Sequence, residues 1–161
     1  MEGMQITTVV SMVGGVVGIV ALSVAWSQMR IASAKTKLDL YTKRFNVYMA
    51  ALEFFQCSAN LTLDGVEEKY KKLTQAFRES KFLFDSKDGV YDSLGRFQKI
   101  GGAVKVYDSV KNTHQTDEEV VKAFRSKAVE AIVLMQDELV VLERQLKPYL
   151  SFHNVRGWTI F

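Results

Sequence analysis

Residues 6–26 read ITTVVSMVGGVVGIVALSVAW, 21 consecutive positions without a charge. At a rise of ~1.5 Å per residue such a helix is ~31 Å long, which matches a bilayer hydrocarbon core. The pattern predicts a transmembrane helix over residues 6–27, preceded by a short extracytoplasmic N-terminus at residues 1–5. A cleaved secretory signal is the alternative, because Ser23-Val24-Ala25 has small-x-small spacing. The lack of a basic n-region and the length of the apolar run favour a retained anchor. Beyond it the pattern turns amphipathic. Leu38, Tyr41, Phe45, Tyr48, Leu52, Phe55 and Ala59 step by three and four, the spacing of one helix face, and are predicted to form a buried packing stripe. No Gly or Pro stands between Gly18 and Gly65. One helix from about residue 6 to residue 60, on the order of 80 Å long, is therefore expected, with a bend or a twist near residues 28–34.

Three further amphipathic stretches follow. Asp64 with Glu67 has capping-box spacing ahead of Val66, Tyr70, Leu73, Phe77 and Phe84. Asp85-Ser86-Lys87-Asp88-Gly89 predicts a turn. Val90, Leu94, Phe97, Val104, Tyr107 and Val110 mark a third helix, which Gly101-Gly102 is expected to weaken or kink. Thr116 with Glu119 opens a fourth, carried by Val121, Phe124, Ala128, Ala131, Met135, Leu142 and Leu146 until Pro148 ends or kinks it. No stretch alternates as a strand does. The expected fold is all-α: one N-terminal transmembrane helix continuing into a cytoplasmic antiparallel bundle of three to four helices over residues 28–150. Residues 151–161 form a tail with Phe152, Trp158, Ile160 and Phe161, placed by expectation on the bundle, the membrane surface or a neighbouring subunit.

Charge gives the expected orientation. All 21 Lys and Arg lie from Arg30 onward, and Glu2 is the one charged side chain before it. Arg30, Lys35, Lys37, Lys43 and Arg44 crowd the C-terminal flank of the apolar run, so the N-terminus is expected outside and the remainder in the cytoplasm. The same five residues are candidates for contact with lipid headgroups or an acidic partner, against the plainer reading of a solvated helix face. Trp26 stands where an aromatic marks the inner interface. Within the apolar run Thr7, Ser11, Gly14, Gly18, Ala21 and Ala25 recur at intervals of four and three, centred on a GxxxG. Small residues let helix backbones approach closely in lipid, so this seam predicts self-association.

Catalytic chemistry is sparse. His114, His153 and Cys57 have no zinc-ligand spacing, and the sequence holds no H-E-x-x-H, G-x-S-x-G or P-loop. Adjacent pairs such as Asp117-Glu118 and Asp137-Glu138 diverge by ~100° on a helix. Lys69, Lys71 and Lys72 follow Glu67 and Glu68, and with a net charge of only +3 they do not make a nucleic-acid surface. No enzyme activity, cofactor, metal or nucleic-acid partner is expected.

The segment KLDLYTKRFNVYMAALEFF (residues 37–55), followed by FLFD (82–85) and VYDSL (90–94), resembles the helical cytoplasmic region of small bacterial single-span membrane proteins. Their pattern is K-L-x-L-(Y/F)-x-K-R-(F/L)-x-V-Y, then F-L-F with an acidic residue, and the likeness covers residues 38–110. It implies a bacterial cytoplasmic-membrane location and no activity. By architecture alone it extends to membrane effectors of anti-phage systems. The expected function is a self-associating membrane effector or signalling element. A passive anchor or scaffold, or a subunit holding a cytoplasmic protein at the membrane, is the alternative.

Overall fold

The computed structural model describes residues 2–60, 65–113 and 117–151, with side chains from residue 14 onward. Among the described residues the regular structure is entirely helical. It comprises α1 (Glu2–Ala59), α2 (Val66–Leu83), a 3-10 turn at Ser86–Asp88, α3 (Val90–Lys111) and α4 (Glu118–Leu150). The chain divides into two compact units, residues 1–40 and 41–161.

In the first unit α1 is alone. Every described position from Gly14 to Leu40 is exposed, including Val17 at 62% and Leu22 at 73%. The helix is long and apolar enough to cross a membrane.

In the second unit residues 41–59 of α1 join α2, α3 and α4 around one core. Phe54, Leu73, Leu94, Phe97, Met135 and Leu142 are its largest fully buried side chains. The third and fourth helices bury most of the faces their periodicity predicts: Val90, Leu94, Phe97, Val104 and Tyr107 on α3, and Ala128, Ala131, Met135, Leu142 and Leu146 on α4, joined by Leu139, while Val110, Val121 and Phe124 are half-buried.

The predicted stripe on α1 packs only in part, with Tyr48, Leu52 and Phe55 against the core. Leu38 is 58% exposed and Phe45 39% exposed, while Tyr41, Tyr48, Leu52 and Phe55 are half-buried. The face that is fully buried is Val47, Ala51, Phe54 and Ser58, which also steps four, three, four. The two faces lie about 120° apart around the helix. Small Ala51 and Ser58 let α1 come close to its neighbours, and the Ser58 hydroxyl is satisfied by donating to the Phe54 carbonyl at 2.8 Å.

Helix entry also differs from expectation. Asp64 and Thr116 lie outside the described residues. Gly65 at φ 78° takes the N-cap of α2 without a side-chain cap, and Glu67 pairs instead with Lys71 and Lys105, both at 3.4 Å. Asp117 caps α4 by accepting from the Glu119 N–H at 3.1 Å. Gly89, at φ 71°, begins α3 where a Cβ would stand 2.9 Å from the Gln145 amide. Gly101 and Gly102 do not interrupt α3, which runs unbroken from Val90 to Lys111. Pro148 lies in the last turn of α4, which closes with Ser151 N–H on the Lys147 carbonyl at 3.0 Å.

Candidate functional site

Two places carry the functional argument, the exposed apolar half of α1 and a junction where three helices meet at Arg44. In the apolar half Gly14, Gly18, Ala21 and Ala25 fall within about 60° of one another around the helix. Thr7 and Ser11 belong to α1, but their side chains lie outside the described residues. At Gly14 and Gly18 a Cβ would meet nothing within 4 Å, so the chain's own folding gives no reason for glycine there. A helix interior disfavours Gly by ~1 kcal/mol against Ala. Beyond them the Arg30 guanidinium stands over the Trp26 ring at 5.6 Å, one turn further along. Such a pair suits an interface, with an amphipathic ring and a cation reaching outward.

The five basic residues are not one group. Arg30, Lys35, Lys37 and Lys43 are exposed. Arg44 is turned inward, which corrects both the headgroup reading and the solvated-face reading for that residue. Its Nε donates to the Leu83 carbonyl at 3.0 Å, at the end of α2. Its guanidinium lies 4.6 Å from the Tyr149 ring and 5.9 Å from Phe84, which meet edge to face at 5.1 Å. The Tyr149 hydroxyl donates to Asp88 and accepts from the Asp85 N–H at 3.2 Å. One side chain each from α1 and α4 thus ties down the turn between α2 and α3. Helical periodicity does not mark Tyr149, which lies beyond Pro148; the FLFD segment is the nearest signal, since it supplies both Phe84 and Asp85.

Comparison with protein-family models, curated proteins and solved structures finds no match for the chain. Among the described residues no cluster of three or more His, Cys, Asp or Glu is placed to hold a metal. Cys57 is half-buried on α1. The lysines at 69, 71 and 72 are engaged with Glu53, Glu67 and Glu68 respectively.

The junction is testable. Arg44→Lys is expected to lose most of what Arg44 contributes, because an ammonium cannot stack on Tyr149 while donating in plane to the Leu83 carbonyl. Tyr149→Phe removes two hydrogen bonds, a loss of about 1–2 kcal/mol on urea unfolding. Burial, and then the bond to Asp88, hold the Tyr149 phenol above its ordinary pKa. A group raised in the folded state contributes stability below its unfolded pKa of ~10, and loses it as pH rises through the still higher folded value. Wild type should therefore lose more stability than Tyr149→Phe as pH rises above ~10. Equal losses would remove Tyr149 from the account.

Proposed function

We propose that the chain is a non-enzymatic single-pass membrane protein of the bacterial cytoplasmic membrane, with its N-terminus outside and residues 41–151 forming an antiparallel helical bundle in the cytoplasm. It self-associates through the seam of Thr7, Ser11, Gly14, Gly18, Ala21 and Ala25, and acts as a membrane effector or signalling element. The observation that carries this reading is the apolar half of α1. Val16, Val17, Ile19, Val20 and Leu22 are each 57–73% exposed. A run of that kind left in water is a large apolar patch, and lipid is the environment that relieves it. The basic flank from Arg30 onward sets the orientation by the positive-inside rule. The resemblance to small bacterial membrane-anchored proteins points the same way and suggests a part in anti-phage defence.

Membrane flotation after alkaline carbonate extraction tests the anchor. The protein should float with lipid, and release into the carbonate supernatant would sink the proposal. A C-terminal fluorescent fusion should glow and a C-terminal alkaline phosphatase fusion should be inactive, as a cytoplasmic C-terminus requires.

A scaffold reading is favoured by one feature. Among the described residues, every fully buried core position falls at Val47 or later, within the unit that begins at residue 41. Replacing the first 27 residues with an unrelated monomeric membrane helix separates the two. Retained function supports the scaffold, whereas loss of function from an inserted, folded chimera supports the effector.

A further inference from the structure

Between α1 and α4 lies a groove of about 490 Å³, lined by Tyr48, Val140, Leu146 and Leu150 together with Arg144 and Lys147. The apolar surface continues along the outer face of α4 through Val133 and Val129, both exposed as Val140 is. At ~100° per residue, Lys122, Val129, Val133, Val140, Arg144 and Lys147 fall within an arc of about 60°, on the far side of the helix from Met135 and Leu142. Read along α4, this strip is a cation, then valines, then a pair of cations, over ~38 Å. None of its cations forms an ion pair among the described residues. Of the nearby acids, Glu143 accepts from the Tyr48 hydroxyl at 2.8 Å and Glu138 holds Arg96 at 2.7 Å. Glu130 and Asp137 border the strip on one side.

We infer that this strip docks an acidic amphipathic helix of another protein, with apolar side chains along Val129, Val133 and Val140 and carboxylates on Lys122, Arg144 and Lys147. The strip is long and one helix wide, the footprint of a helix rather than of a domain. Its middle is apolar and uncovered, so the valines gain by leaving water. Its ends are cationic without anions of their own. Lys122 and Arg144 stand ~33 Å apart along α4, so carboxylates at that separation fix the partner's register. The groove beside Tyr48 adds depth at one end, where a large apolar side chain of the partner can anchor.

Charge decides against a second copy. Antiparallel strips that laid Val129 on Val140 would set Lys122 against Lys147 and Arg125 against Arg144, and parallel strips would set each cation against itself. Shape decides against a bilayer, whose flat surface gains little from a recess. Valines are also weaker anchors at a lipid interface than aromatic side chains. The strip lies wholly within residues 41–151, so docking there does not depend on a membrane location.

The probe is a labelled helical peptide of about 26 residues, ~39 Å long, with a leucine stripe bordered by glutamates. Its twin carries lysine at every glutamate. The full chain is held at one copy per phosphatidylcholine nanodisc, empty discs give the baseline, and binding is read by fluorescence anisotropy. Co-elution with the discs reads insertion separately from binding. The glutamate peptide should bind at least tenfold more tightly than its twin. Val133→Asp with Val140→Asp should weaken it at least tenfold, and Arg144→Glu with Lys147→Glu should invert the preference. All four positions are exposed, so circular dichroism and thermal melting should hold in both variants. Absent binding, equal binding of the two peptides, or binding indifferent to both variants overturns the inference. So does capture of phosphatidylglycerol vesicles that the aspartate variant abolishes, with no peptide bound, which makes the strip a bilayer face. Pairing of discs that the same variant abolishes gives the strip to a second copy and overturns it too.

Discussion

Gly101→Leu is expected to prevent folding of the helical unit at residues 41–151, and Gly101→Ala to destabilise it by about 1–2 kcal/mol. A Cβ on Gly101 would stand 2.5 Å from Phe54 Cε1 and 3.1 Å from its Cζ. Phe54 cannot turn aside easily. It is fully buried, with Tyr70 against it at 5.5 Å and Phe97 at 6.4 Å, both edge-on. Overpacking a core by one methyl costs about 1–3 kcal/mol, and the better helix propensity of Ala returns up to ~1. Gly102 supplies the control. It has the same propensity gain, but its Cβ would meet only the Tyr70 hydroxyl at an ordinary 3.8 Å. Gly102→Ala should therefore stabilise by about 0.5–1 kcal/mol. Urea unfolding of the two alanine variants checks this, and Gly101→Ala as stable as Gly102→Ala would refute it. Combining Phe54→Leu with Gly101→Ala should cost less than the two singles added, because the shorter side chain makes room for the methyl.

The second large effect is expected in the membrane. Gly14→Leu with Gly18→Leu should weaken self-association at least tenfold, about 1.4 kcal/mol. Two leucines would hold the backbones apart where the proposed seam would bring them together. A Cβ at either glycine would meet no side chain or neighbouring element within 4 Å, so insertion and thermal melting of residues 41–151 should be unchanged, and the loss can be read as loss of assembly. Subunit counting in native nanodiscs decides the matter. A multimer that dissociates in the double variant supports the seam. A multimer that persists moves the contact to residues 41–151, and a wild-type monomer rejects self-association.

The apolar span was legible from the sequence because it depends on composition alone. An uncharged run of 21 residues is apolar whatever folds beside it. The buried faces of α3 and α4 were legible for a related reason: each has one dominant apolar stripe, and burial follows it. Residues 37–55 broke that rule, since α1 there carries two stripes at the same period. The aromatic one was the more conspicuous, yet Val47, Ala51, Phe54 and Ser58 face the core. Periodicity says which residues share a face, but not which face a neighbouring helix will cover. That depended on close approach, which favours small side chains.

Gly101 shows the same division. Read along the chain it is a weak point in a helix, whereas in space it is the recess that admits Phe54 from an element nearly fifty residues earlier. Arg44 read as one of five juxtamembrane cations until the fold brought Leu83, Phe84 and Tyr149 around it. The sequence by itself determined helicity, the apolar span and its basic flank, because these arise from residues within a few turns of one another. The tertiary structure alone decided the core face of α1, the role of Gly101 and the partners of Arg44, because each depends on residues distant in sequence.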